Sequence, residues 1–154
     1  MELLDKQEAA GQIEDFLQGV VRSLDLDLEM EIQAGDGEIS VEFFGDDSEM
    51  LLTENARLLY ALNHLVNQIF FRRCRERLSF VLDCNRYRKD RISELELMAR
   101  KAAEQARVSR RKISLQPMPS SERRIIHLAL AEEPGIRTES EGSGWRRRVL
   151  IVPA

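Results

Sequence analysis

The chain is poor in the residues that carry most side-chain chemistry. Its 154 residues include only two cysteines, two histidines, one tryptophan and four prolines. Cys74 and Cys84 match no zinc-ligand spacing, and His64 is the only histidine near them in sequence, so no metal centre is expected. In a reducing compartment the two read as free, partly buried thiols. Long apolar runs are missing too. The least charged stretch, Leu58 to Phe71, contains Asn63, His64, Asn67 and Gln68 and is too short and too polar to insert across a bilayer. The chain opens Met1-Glu2-Leu3-Leu4-Asp5 with no basic n-region or apolar leader, which predicts a cytoplasmic address. There is no glycine-rich phosphate loop, nucleophile elbow, or cluster of histidines and carboxylates at metal spacing. Neither catalysis nor a cofactor is expected.

What the chain has in quantity is charge, unevenly placed. Residues 1–71 hold sixteen acids and three bases, whereas residues 72–154 hold eleven acids and twenty bases. The net charge therefore swings from −13 to +9 between the two stretches. A basic half suits a polyanion, because each neutralised phosphate releases condensed counterions. The acidic half would repel the same ligand.

Periodicity supplies the elements. Ile13, Phe16, Leu17, Val20, Val21 and Leu24 recur at helical spacing. Leu28, Met30 and Ile32, then Ile39, Val41 and Phe43, alternate as two strands joined at Gly35-Asp36-Gly37, a hairpin. A helix from Thr53 or Asn55 carries Leu58, Leu62, Leu65, Val66 and Ile69 on one stripe; Leu78, Phe80 and Leu82 alternate as a third strand. A further, long helix opens at Asp90 or Arg91. The stretch Lys112–Gln116 reads as a strand, broken by Pro117 and Pro119, and Ser120 or Ser121 can cap the next helix. Pro134-Gly135 ends that helix, and two strands, Ile136–Glu141 and Arg147–Val152, flank Gly142-Ser143-Gly144. Runs of both element types predict an α+β fold.

The closing stretch is the most specific. Arg123 and His127, one helical turn apart, project from one face. Around them stand Pro117-Met118, Glu122-Arg123-Arg124-Ile125-Ile126-His127, Thr138-Glu139-Ser140-Glu141-Gly142 and Arg148-Val149. This combination resembles the R-3-H domain, a single-stranded nucleic-acid-binding module, in the version found in the bacterial Jag family. There it follows a type II KH domain. The resemblance implies a KH-like α/β sandwich over residues 1–90 and, over residues 91–154, a small R-3-H domain with a three-stranded sheet and two helices. It also implies a short helix near Ser48–Leu52. The KH backbone-clamping Gly-x-x-Gly loop then falls on Thr53-Glu54-Asn55-Ala56, where both glycines are replaced. Side chains at those positions and Glu54 oppose phosphate, so this half is expected to bind RNA poorly and to serve as scaffold or protein contact.

The expected partner is single-stranded RNA, or DNA, held mainly by its backbone. The candidate contacts are Arg123 and His127, with Arg124, Arg147, Arg148, Arg107 and Arg111 around them. Arg123 suits a phosphate through its planar fork, and His127 a hydrogen bond or a stacked base. Against this stands a plain surface pair, or a His127 packed on the sheet. Arg107, Arg110, Arg111 and Lys112 read equally as a solvated helix end, and Arg146, Arg147 and Arg148 as a solvated strand end. Arg86, Arg88, Lys89 and Arg91 are placed to bridge the halves or track a backbone. Trp145 can stack a base or pack on the sheet rim. A second reading is an adaptor whose acidic half docks a basic protein. For that reading the resemblance implies links to membrane-protein insertion or cell-envelope regulation.

Overall fold

In a computed structural model, residues 3–154 are described; Met1 and Glu2, part of the acidic opening, lie outside them. The chain forms two compact units, Met1–Arg88 and Lys89–Ala154, and its architecture is α+β. The division also redistributes the charge. Six of the bases counted in the basic stretch, Arg72 to Arg88, belong to the first unit. The units therefore carry −9 and +5, a gentler contrast than the sequence halves suggest.

In the first unit, α1 (Lys6–Ser23) starts at a reciprocal cap: the Glu8 amide donates to Asp5 Oδ1 and the Asp5 amide to Glu8 Oε2, both at 2.9 Å. Its buried face, Ala9, Ile13, Leu17 and Val21, follows four-residue spacing. Strands β1 (Glu29–Ala34), β2 (Glu38–Phe44) and β3 (Ser79–Cys84) form a sheet in that order, β1 antiparallel and β3 parallel to β2. The parallel pair requires a crossover, supplied by α2 (Ser48–Phe70). Phe70 closes the core with its ring centroid 6.4 Å from both Phe16 and Phe80. Asn63 and Asn67, whose polarity argued against a bilayer segment, tie α2 to β3. The Leu82 amide donates to Asn63 Oδ1 at 2.8 Å, and Asn67 Nδ2 donates to the Phe80 carbonyl at 3.0 Å.

The α2 backbone breaks after its first turn. Thr53 leaves the helical region, and Glu54, Asn55 and Ala56 follow at φ +52°, +59° and +59°. The break lies where the sequence put its loop, preceded by a short helical segment from Ser48. Three consecutive non-glycine residues in left-handed geometry store strain of about 1–2 kcal/mol each. The Thr53 hydroxyl closes the preceding turn by donating to the carbonyls of Glu49 and Met50. Glu54 pairs with Arg57 at 3.0 Å, both exposed.

In the second unit, α3 (Tyr87–Ser109) buries Leu95 and the small residues Ala99, Ala102, Ala103 and Ala106. It begins three or four residues before the expected start at Asp90 or Arg91. The short β4 (Ile113–Ser114), β5 (Ile136–Glu141) and β6 (Arg148–Pro153) form an antiparallel sheet ordered β4-β6-β5. Between the strands lies α4 (Ser120–Ala129), with Ile126 wholly buried against Val149 and Ile151 of β6 in one cluster. Three local expectations are corrected. No serine caps α4, since its N-cap is Pro119. Both cysteines are buried rather than partly so, with Cys84 donating to the Ser48 carbonyl and its thiol pushed up to about 11 by burial, then by Glu42 and Asp83. His64 is exposed.

Candidate nucleic-acid interface

Helix α4 is positioned from below by an ion pair. Glu122, only 1% exposed, takes two bonds from the Arg91 fork, Nε to Oε1 at 3.0 Å and Nη2 to Oε2 at 3.1 Å, and Arg91 also reaches Glu94 at 2.8 Å. With Glu122 and Ile126 facing inward, Arg124 and Leu128 face solvent, and Arg123 and His127 are half-buried along the helix edge. That edge lies over β5. On this strand Thr138 and Ser140 share one face, while Arg137, Glu139 and Glu141 point outward.

The contacts across this edge form a chain. Arg123 donates from Nε to the Met118 carbonyl at 3.3 Å and from Nη1 to Ser140 Oγ at 3.1 Å. His127 Nε2 lies 2.9 Å from the same Ser140 oxygen, and Nδ1 lies 2.7 Å from Thr138 Oγ1. A neutral imidazole satisfies all of them, for instance with Ser140 accepting from Arg123 and donating to Nε2 while Nδ1–H donates to Thr138. The electrostatics agree, because burial and then the Arg123 charge hold His127 below its ordinary value of 6.5.

Arg123 keeps N–H donors beyond those two bonds, and among the described residues no carboxylate comes within ion-pair distance of its guanidinium. Burial and the neighbouring Arg147 charge both depress its proton affinity, yet an arginine stays charged. Arg147 is fixed nearby through its backbone, whose carbonyl accepts from the Met118 amide at 3.1 Å. Two cations thus share a site without a counter-ion from the described protein.

The remaining candidates divide. Arg124 and Arg111 are exposed without a carboxylate partner among the described residues. Arg148 pairs with Glu141 at 3.3 Å. Arg107 bonds Glu133 and the Pro134 carbonyl. Arg107 and Arg110 border a surface depression with Pro153 and Ala154, at the far end of β6 from Arg147. Two junction arginines make contacts within their own units. Arg88 donates to the Leu82 carbonyl at 2.9 Å and lies over the Tyr60 ring, while Arg91 holds Glu122. Trp145 sits in a 3₁₀ turn (Gly144–Arg146) and is 73% exposed. Thr138 and Ser140 entered the sequence reading only as members of the matching motif, with no role assigned to either. The two-residue alternation of β5, which puts both hydroxyls on one face, is the signal that could have found them.

Residues 93–153 match the R-3-H domain family. Among relatives, the chain is 31% identical over 139 residues to the RNA-binding protein KhpB of Clostridium symbiosum, covering 89% of this chain and 63% of that one. It is 28% identical to KhpB of Bacillus subtilis, covering 98% and 74%. Similarity to KhpB of Lactiplantibacillus plantarum is also 28%, covering 90% of this chain and 43% of the relative. The second unit is thus of the R-3-H class. Over about nine-tenths of its length the chain is similar to the KhpB proteins of the Jag family, and it spans 63% and 43% of the length of two of them.

Proposed function

We propose that this chain binds single-stranded RNA, and single-stranded DNA by the same contacts, through its R-3-H unit. The observation that carries this is that Arg123 and the neighbouring Arg147 are two cations, neither of them ion-paired to a carboxylate among the described residues. A bridging phosphate supplies the missing charge and accepts the remaining guanidinium donors. His127 acts from behind, holding Ser140 and through it Arg123. Arg124 and Arg148 flank the pair, and Arg107 and Arg111 extend the basic surface along the unit. The role is binding rather than catalysis.

Residues 1–90 are proposed to be a KH-like scaffold of type II. The element order α1-β1-β2-α2-β3 and the broken α2 support this. Its loop carries Glu54 where phosphate would approach, so the first unit contributes little to RNA affinity. A second reading, a protein adaptor, has one observation in its favour: Glu31, Glu42 and Asp83 stand opposite one another across all three strands.

A fluorescence-anisotropy titration with a single-stranded oligonucleotide separates the two. With about four phosphates neutralised, log affinity should fall against log salt with a slope near −2.8, at about −0.7 per contact. Arg123→Ala should flatten that slope by about one contact. Affinity untouched in the Arg123→Ala, His127→Ala double variant would defeat the site assignment. Recovery of a protein partner that survives nuclease treatment, with no oligonucleotide binding, would favour the adaptor.

A further inference from the structure

The sheet of the first unit has two edges, β1 and β3, and they are finished differently. Side chains close the edge at β3. Asn63 Oδ1 accepts from the Leu82 amide, Asn67 Nδ2 donates to the Phe80 carbonyl, and Arg88 Nε donates to the Leu82 carbonyl. The edge at β1 has no such closure. The Gly35 amide donates to the Glu38 carbonyl at 2.8 Å, which sets the ladder so that Glu29, Glu31 and Gln33 bond β2. Met30, Ile32 and Ala34 therefore turn their amides and carbonyls outward. Among the described residues nothing hydrogen-bonds them.

We propose that the β1 edge docks an extended peptide segment of alternating basic and apolar residues, which joins the sheet as a fourth strand. This surface belongs to the first unit and is independent of where RNA binds. Main-chain bonds to Met30 and Ile32 supply affinity, and the two side-chain rows of β1 choose the occupant. Glu29 and Glu31 are exposed on the open face, while Met30 and Ile32 are half-buried against the core. Glu42 and Asp83 continue the acidic row across the sheet. Arg86 borders this face, yet none of these four carboxylates has an ion-pair partner among the described residues. Opposite charge on a neighbouring strand is favourable and like charge is not. A second copy of this edge would set glutamate beside glutamate, so the row opposes self-pairing and favours a basic strand. Apolar residues on the other face of that strand extend the Met30–Ile32 row. Where β1 begins, a depression of about 420 Å³ lined by Val21, Leu26, Leu28 and Met30 gives them room.

The test uses the full chain and a labelled peptide of alternating lysine and valine, matched to β1 in length and followed by anisotropy. Control peptides group the lysines and valines in blocks, or carry N-methyl groups on one or the other alternate set of amides. The alternating peptide should bind. Methylation of one set should weaken it roughly tenfold or more, and methylation of the other set much less. Hydrogen exchange at the Met30 and Ile32 amides should slow on binding. The Glu29→Lys, Glu31→Lys variant should lose this peptide and gain one of alternating glutamate and valine. Strand addition is overturned if the alternating peptide does not bind, if the block or both methylated peptides bind equally well, or if exchange at Met30 and Ile32 is unchanged. Retention of the lysine peptide by the charge-reversed variant overturns the choice of a basic occupant. Protection of the same two amides by oligouridylate instead makes the edge a nucleic-acid surface and overturns the peptide assignment.

Discussion

His127 shows how one side chain can be tied to pH through its surroundings. Its native pKa lies below the unfolded value near 6.5, so the unfolded chain takes up a proton first as pH falls. Stability contributed by the neutral ring is therefore intact above about pH 6.5 and declines below it, through the depressed native value. Urea unfolding at pH 7.5 and 5.5 should show this loss in the wild type and a smaller loss in His127→Gln. Glu122 is the sharper case. It is wholly enclosed and bidentate to Arg91, so Glu122→Ala strands a nearly buried cation. Breaking such a pair costs about 3–5 kcal/mol, and the retained Glu94 contact puts the expectation near the lower end. Thermal unfolding checks it, and Arg91→Ala should fall in the same range. A His127 packed on the sheet was one of the readings the sequence left open, but the Arg91–Glu122 pair was not legible beforehand. Arg91 and Glu122 are 31 residues apart, and in a chain with 19 arginines nothing local says which one will be enclosed.

Elements were far easier to read than contacts. The strands of the first unit and the buried stripe of α1 follow from two-residue and four-residue spacing, because one face of each must be apolar. Where the element is set by backbone hydrogen bonding, the pattern misleads. The stretch expected as a strand over Lys112–Gln116 pairs as a ladder only at Ile113 and Ser114, since Pro117 and Pro119 turn the chain towards α4. That helix stops at Ala129, well before Pro134-Gly135. The loop at Thr53–Ala56 was located by family register, but its geometry carries a consequence of its own. Three left-handed residues without a glycine are strained, and Glu54 gains only an exposed ion pair there. Glu54→Gly should raise stability by up to about 1 kcal/mol by relieving that strain, read as a higher denaturation midpoint. RNA affinity should stay unchanged if the first unit is a scaffold. A drop in stability would show that the Arg57 contact outweighs the strain.

Across the whole molecule, charge by unit replaces charge by half. The first unit remains acidic at −9 even with Arg72 to Arg88 included, and the second is only modestly basic at +5. Binding then depends on where cations go unneutralised rather than on how many there are. Among the described residues, no helix is long and apolar enough to cross a membrane. The central strand of the second sheet decides the spatial scale. Strand β6 has Arg147 just before its start and Arg107 and Arg110 beside its end at Pro153, a distance of about 20 Å at about 3.4 Å per residue. It is in effect a ruler for ligand length. Oligonucleotides too short to span it can engage one cationic end at a time, whereas longer ones engage both. Affinity measured over a length series should therefore rise in a step rather than smoothly, and Arg110→Ala should abolish the step while leaving the shortest ligands unaffected.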